Sequence, residues 1–206
     1  MARVLSFDVG VKNLAYCLID HDTSAPLVEG AVFPDSMLSQ FSEGQRGRAE
    51  VVDWRVVVAS DKKRPTIAEI ADGVNARCDE IHEAHGLPDV VLIESQPCMR
   101  NPTMKSVQMI IYCHFVMRAR LSTPAAPCRV LFVNAGLKLT GLLTVAGTVA
   151  GTVAVKGAKD YRTRKRASVM AAGSWLGRFA PGVTKKKDDL ADSLLQALQW
   201  LRREYS

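Results

Sequence analysis

The sequence predicts a mixed α/β fold, a five-stranded sheet flanked by helices, in one domain over residues 1–206. Three observations predict it. Three short apolar runs rich in β-branched residues occupy the first 60 residues. From there on, strand-like runs alternate with segments whose apolar residues recur at helical spacing, and the last third reads as helix. A chain of 206 residues is also long enough to bury one core and short for two.

Residues 3–9 form the first strand, and Gly10 and Asn13 turn the chain into a second apolar run at 14–19, the pattern of a hairpin. A third strand is expected at 51–59, where Val51, Val52, Val56, Val57 and Val58 dominate. Thr66, after Arg64-Pro65, caps a helix carried by Ile67, Ile70, Ala71, Val74 and Ile81 to about His85, with Gly86 and Pro88 as its stop. Val90-Val91-Leu92-Ile93 is an unbroken apolar run between Pro88-Asp89 and Gln96-Pro97, which suits a strand buried on both faces. A helix over 103–121, a strand at 129–133 and helices near 161–176 and 188–203 complete the order. TVAG recurs at a four-residue spacing within 144–153; too short for a repeat architecture, it reads as a small-residue linker or loop.

Hydrophobic residues make up 48% and charged residues 23%, the balance of a soluble globular protein, and no apolar run approaches the roughly 18 residues of a membrane span. The N-terminus runs straight into a strand pattern without signal-peptide features, so an intracellular, unsecreted protein is expected. Five cysteines, widely spaced and without a CxxC pair, read as reduced and mostly buried thiols. His82 and His85 stand three apart with no third ligand at a suitable spacing, which favours a solvated helix face over a zinc site. The net charge of +6 is unevenly spread. Residues 156–187 hold ten Lys or Arg against one acid, Asp160, so +9 sits in this stretch and the rest of the chain sums to −3. A cation cluster confined to one stretch points to a polyanionic partner, although by itself it is also compatible with a solvated face.

Four acids stand out by position. Asp8 lies at the end of the first strand, in Phe7-Asp8-Val9-Gly10, and Glu94 directly follows the apolar run at 90–93. Asp189 and Asp192, three apart near the start of the last helix, share one face of it. That helix carries Leu190, Leu194, Leu195, Leu198 and Leu201 at core-like spacing, so it must pack on the sheet with its acids close to the packed surface. Taken singly, each has an ordinary alternative: an Asx turn for Asp8, an edge ion pair for Glu94, and a favourable place at the helix dipole for Asp188 and Asp189. Taken together they are expected to converge on one site as a carboxylate cluster. Crowded carboxylates repel, and hard divalent cations offset that repulsion. Two such ions about 4 Å apart suit phosphodiester displacement.

The phrases Asp8-Val9-Gly10-Val11-Lys12-Asn13-Leu14, Ile93-Glu94-Ser95-Gln96-Pro97 and Lys186-Lys187-Asp188-Asp189-Leu190-Ala191-Asp192 carry a resemblance. In this order they resemble the resolvases of poxviruses and related large DNA viruses, relatives of the bacterial RuvC and fungal mitochondrial enzymes. Asn134-Ala135-Gly136-Leu137-Lys138-Leu139 also resembles a family segment, while the TVAG run departs from it. The resemblance spans about residues 3–203 and implies a ribonuclease H-like fold. It implies a homodimer that resolves four-way (Holliday) junctions by symmetric, metal-dependent phosphodiester hydrolysis, leaving 5'-phosphate and 3'-hydroxyl ends, in DNA recombination and the processing of replicated viral DNA. Asp8, Glu94, Asp189 and Asp192 match the family's catalytic carboxylates, which hold two Mg2+ ions per site, with Mn2+ able to substitute. With no added N-terminal module or transit sequence, the viral branch is favoured, and with it the cytoplasmic replication site of an infected cell or the virion.

Candidate DNA contacts follow from charge and position. Lys12 and Asn13 follow Asp8; Gln96, Arg100, Asn101 and Lys105 follow Glu94, where a polar loop and helix start is the alternative. Lys156, Lys159, Arg162, Arg164, Lys165 and Arg166 supply charge with Tyr161 among them, and Lys185, Lys186 and Lys187 immediately precede the helix acids. In the helix over 103–121, Ile110, Ile111, Tyr112, Phe115, Val116 and Met117 exceed one buried stripe, which makes this helix both a core element and the candidate dimer interface. Rival readings are a ribonuclease H-like nuclease without junction specificity and a non-catalytic branched-DNA-binding protein. A sugar-kinase or actin-like ATPase also opens on Asp-x-Gly but requires a second glycine-rich phosphate loop, and none is present.

Overall fold

The computed structural model describes residues 1–24, 32–34 as backbone, 49–97, 99, 101–122, 128–134, 165–166, 168–169, 171–173 and 187–205. Strands β1 (Ala2–Asp8), β2 (Leu14–His21), β3 (Val32–Pro34), β4 (Ala49–Val57), β5 (Val90–Glu94) and β6 (Arg129–Val133) form one sheet in the order β3-β4-β2-β1-β5-β6. β1 is antiparallel to β2 and parallel to β5, β2 is antiparallel to β4, and β6 runs parallel to β5, so the sheet is mixed as expected. The five expected strands form its body. β3 adds a three-residue sixth strand at the edge, parallel to the start of β4, too short to leave a periodic signal. The third expected strand lies two residues earlier, at Ala49–Val57.

Local chemistry sets the turns and helix ends. A Cβ on Gly10 would lie 2.5 Å from the Asn13 carbonyl oxygen, so only glycine lets the β1–β2 turn close this tightly. Helix α1 (Ile67–His85) begins with a capping box: the Glu69 N–H donates to Thr66 Oγ1 at 3.2 Å and the Thr66 N–H to Glu69 Oε2 at 2.8 Å. It stops at Gly86, whose φ of 79° suits a residue without a Cβ and whose N–H donates to His82 O. Helix α2 (Pro102–Leu121) starts at the Asn101 cap, and helix α3 (Lys187–Glu204) closes the order.

Alternation in the strands divides the core into two layers. Val4, Cys17, Ile19, Val51, Val90 and Leu92 point to one face and pack against Leu194, Leu195, Leu198 and Leu201 of α3. Leu5, Phe7, Tyr16, Leu18, Val91 and Ile93 point to the other, against Ile70, Val74 and Ile81 of α1 and Val107, Ile111 and Phe115 of α2. The described residues between 165 and 173 are helical where a helix was expected, with Ala171 and Ala172 buried on the α3 side. The TVAG run lies outside the described residues. Cys17, Cys78, Cys113 and Cys128 are free thiols, Cys113 exposed and Cys17 and Cys78 buried. Among the described residues no helix is long and apolar enough to cross a membrane.

The histidine pair is not the solvated face expected. His85 Nε2 lies 3.1 Å from Asp53 Oδ2, and its backbone oxygen accepts a 2.5 Å hydrogen bond from Arg3. The reason is Asp53, an acid on the α1 side of β4 that also accepts from the Tyr16 hydroxyl at 2.7 Å and from Arg55 through two 2.6 Å bonds. Burial raises the Asp53 pKa, but the hydrogen bonds from Arg55, Tyr16 and His85 outweigh it and hold the carboxyl below its ordinary value. A depressed folded-state pKa stabilises the fold above the unfolded value of about 3.9, and the stabilisation is lost as pH falls through the folded value. Asp53→Asn is therefore expected to cost about 2 kcal/mol near neutral pH, with the gap to wild type closing below about pH 4. Urea unfolding at stepped pH tests this; a gap that did not narrow between pH 7 and pH 2 would remove the charge from the account.

Candidate active site

β1 and β5 bring the first two acids together. Phe7 pairs with Ile93 in parallel register, so one step further Asp8 and Glu94 end neighbouring strands side by side, with backbones about 5 Å apart. Val4 and Ser6 precede Asp8 on the α3 side, and Val90 and Leu92 precede Glu94 there. The two-residue period then puts both acids on the α3 face.

Helix α3 is held over that face at several points. Gln196 Nε2 donates to Ser6 Oγ at 3.0 Å and to the Phe7 carbonyl at 3.2 Å, and Trp54 Nε1 donates to Leu190 O at 2.9 Å. At the far end Arg129, the first residue of β6, pairs with Glu204 and lies over the Trp200 ring, while Tyr205 meets His21, the partner of Ala2. The helix therefore runs antiparallel to β1, with its N-terminal half toward β4 and toward the end of β1 that carries Asp8. Asp189, Asp192 and Gln196 fall at i, i+3 and i+7, one stripe of the helix. From Gln196 to Asp192 is roughly 6 Å along the helix, and from Ser6 to Asp8 roughly 6 Å along the strand. The Gln196 latch thus sets Asp192 level with Asp8, and Asp189 lies a turn further out.

Lys165 occupies that outer turn. Its ammonium pairs with Asp188 Oδ2 and lies 3.3 Å from Asp189 Oδ1. Burial raises the Asp188 pKa, but the Lys165 ammonium and the backbone N–H groups of the first turn outweigh it and hold the carboxyl below its ordinary value. On the strand side, Gln96 Nε2 donates to Glu94 Oε2 at 3.1 Å. Asp8, Glu94, Asp189 and Asp192 offer only hard oxygen donors, the set that magnesium or manganese takes. As they stand, among the described residues no group of three or more His, Cys, Asp or Glu is gathered so that it could hold a metal ion. Gln96 engages Glu94, and Lys165 engages Asp189.

The other sequence candidates divide. Lys12 Nζ donates to Asp61 O at 3.3 Å, and Asn13 lies in the tight turn after Asp8. Asn101 caps α2 by accepting from the Met104 N–H, so its side chain has a structural task. Lys105 donates to Gln108 and lies 5.5 Å from the centre of the Phe132 ring. Arg166 and Lys187 are exposed, on the helical stretch beside α3 and at the start of α3. Arg100, Lys156, Lys159, Arg162, Arg164, Lys185 and Lys186 lie outside the described residues. Sequence reasoning missed Ser6 and Gln196, both buried. The available signal was a polar residue on a helix face otherwise made of leucine and alanine, which needs a partner to be there.

Strand order, the antiparallel start, the parallel β1–β5–β6 half and the closing helix define a ribonuclease H-like fold. No protein-family model matches the chain, and none of the curated proteins does. Solved structures do match. The yeast mitochondrial Holliday junction resolvase Ydc2 aligns with a TM-score of 0.62 at 18% identity, over 98% of this chain and 79% of that one. The fowlpox virus resolvase, solved in complex with its substrate Holliday junction DNA, aligns with a TM-score of 0.56 at 15% identity, over 99% of both chains. Thermus thermophilus RuvC aligns with a TM-score of 0.57 at 13% identity, over 98% of this chain and 97% of that one. The chain resembles these resolvases in fold along nearly its whole length.

Proposed function

We propose that the chain is a metal-dependent endonuclease that resolves four-way DNA junctions. The observation that carries this reading is that Asp8 and Glu94 end adjacent parallel strands, while Asp189 and Asp192 share one stripe of the helix that packs on the same face of the sheet. Carboxylates drawn together there would repel one another, and divalent cations would offset that repulsion. Support also comes from the fold, shared with proteins named as Holliday junction resolvases.

In this reading Asp8, Glu94, Asp189 and Asp192 hold two magnesium ions, with manganese able to substitute. The ions supply activation of a water and charge stabilisation for phosphodiester hydrolysis, giving 5'-phosphate and 3'-hydroxyl ends. The chain's own part is to hold the acids on rigid elements: Asp8 and Glu94 on paired strands, Asp189 and Asp192 on a helix latched by Gln196. Arg166 and Lys187, beside the acids, and the cation-rich stretch from 156 to 187 contact backbone phosphates. Two symmetric nicks in a two-fold junction need the site twice, so the working unit is a homodimer. Its supporting surface is the stripe Met109, Cys113, Met117 and Leu121, spaced four apart on α2, exposed, and bordering an open groove of about 640 Å³ against α1. The setting is intracellular, where the thiols stay reduced, and a role in recombination or in processing replicated viral DNA fits the activity.

Incubation with synthetic four-way junctions and matched linear duplexes, with and without magnesium, tests the reading. Paired nicks in opposed strands of junctions, only with the metal, are the expected result. Equal cutting of linear duplex would favour a nuclease without junction specificity. Tight junction binding with no cutting in magnesium or manganese would favour a non-catalytic branched-DNA-binding protein.

A further inference from the structure

We propose that Gln108, a fully buried glutamine of α2, is the positioning residue for Glu94, an inference that rests on the nuclease reading above. Gln108 lies in the stripe of Val107, Ile111 and Phe115, all fully buried, where an amide is out of place unless its polar atoms are used. They are used for the chain segment that follows β5. The Ser95 N–H makes a last rung to Val133 O at 2.8 Å, and there the strand leaves the sheet. The next donor, the Gln96 N–H, goes to Gln108 Oε1 at 2.8 Å. The same oxygen accepts from Lys105 Nζ at 3.2 Å. Both neighbours of Oε1 are groups that only donate, so the amide can face them only with its oxygen. Its Nε2 is left buried without a partner among the described residues, a cost that a purely packing side chain would not incur.

The consequence reaches the site in two bonds. Fixing the Gln96 backbone aims its side chain, whose Nε2 donates to Glu94 Oε2 at 3.1 Å. Glu94 is thereby restrained in rotation at the end of β5, beside Asp8. Gln108 touches no substrate; it acts through Gln96, as partners behind a metal ligand do when they fix the ligand's orientation.

The test uses the full chain and manganese as probe, read by calorimetric titration of the DNA-free protein, with thermal unfolding and junction affinity measured alongside. Gln108→Leu removes the acceptor at similar volume and is expected to weaken manganese binding about tenfold, to lower kcat with KM for the junction unchanged, and to leave junction affinity intact. Gln108→Glu keeps both acceptor bonds and sets a second oxygen where the amide nitrogen stands, so it should bind manganese within about threefold of wild type. Gln96→Ala, which removes the last link without disturbing the core, should reproduce the loss seen with Gln108→Leu even if that variant proves too unstable to titrate. Wild-type manganese affinity in Gln108→Leu or Gln96→Ala would overturn the positioning role and leave the nuclease reading standing. Equal losses in Gln108→Leu and Gln108→Glu, tracking a fall in thermal midpoint, would overturn it in favour of packing. A wild-type chain that bound no manganese would overturn both.

Discussion

Replacing Asp189 with Asn, or Glu94 with Gln, is expected to lower junction cutting by about 10³-fold or more while junction binding is unchanged or tighter. A loss of that size corresponds to roughly 4 kcal/mol of transition-state stabilisation, in keeping with the metal-holding role proposed for these acids. Binding should move the other way because, on the proposed reading, the acids face incoming phosphates, and a neutral amide removes their repulsion without removing a cation. Both substitutions preserve shape. Asp189 lies beside Lys165 and Glu94 beside Gln96, so each amide still finds polar neighbours and the fold should hold. Single-turnover cleavage and binding in calcium, measured on the same preparations, separate the two effects. Either variant cutting at near the wild-type rate in magnesium would remove that acid from the site.

Phe115→Ala is expected to destabilise the chain by about 3–5 kcal/mol, the range for removing a large aromatic from a closed core. Phe115 is fully buried and its ring packs 5.9 Å from that of Phe7, between α2 and the sheet. Ile111 is buried with it, and Ile111→Asp should prevent folding, since a carboxylate there would have no described partner to offset its desolvation. These two residues were candidates for the dimer surface on sequence grounds; they belong to the core because α2 turns them toward β1 and β5. The contrasting substitution is Met117→Asp, on the exposed stripe. It should leave thermal unfolding of the monomer within about 0.5 kcal/mol of wild type and shift a dimer toward monomer in light scattering at micromolar concentration. An unchanged dimer would move the interface off α2, and an unfolded Met117→Asp would show that this stripe is core as well.

Period and local chemistry determined much of this protein by themselves. The hairpin at β1 and β2, the capped and glycine-stopped α1, the apolar β5 and the leucine-rich α3 each follow from contacts within a few residues, and the alternation that buries Val90 and Leu92 also sends Glu94 to the α3 face. The candidate acids were legible for the same reason: an acid that follows an apolar strand, or stands three from another acid on an amphipathic helix, breaks a local rule. What no local rule contains is which distant group meets which. Tertiary structure alone decided that Gln196 bonds to Ser6, 190 positions away, that Asp53 draws in His85 across 32 positions, and that Lys165 faces Asp188 and Asp189. It also decided which apolar side of α2 is core, because a helix with apolar residues on two sides does not say which of them the sheet will cover.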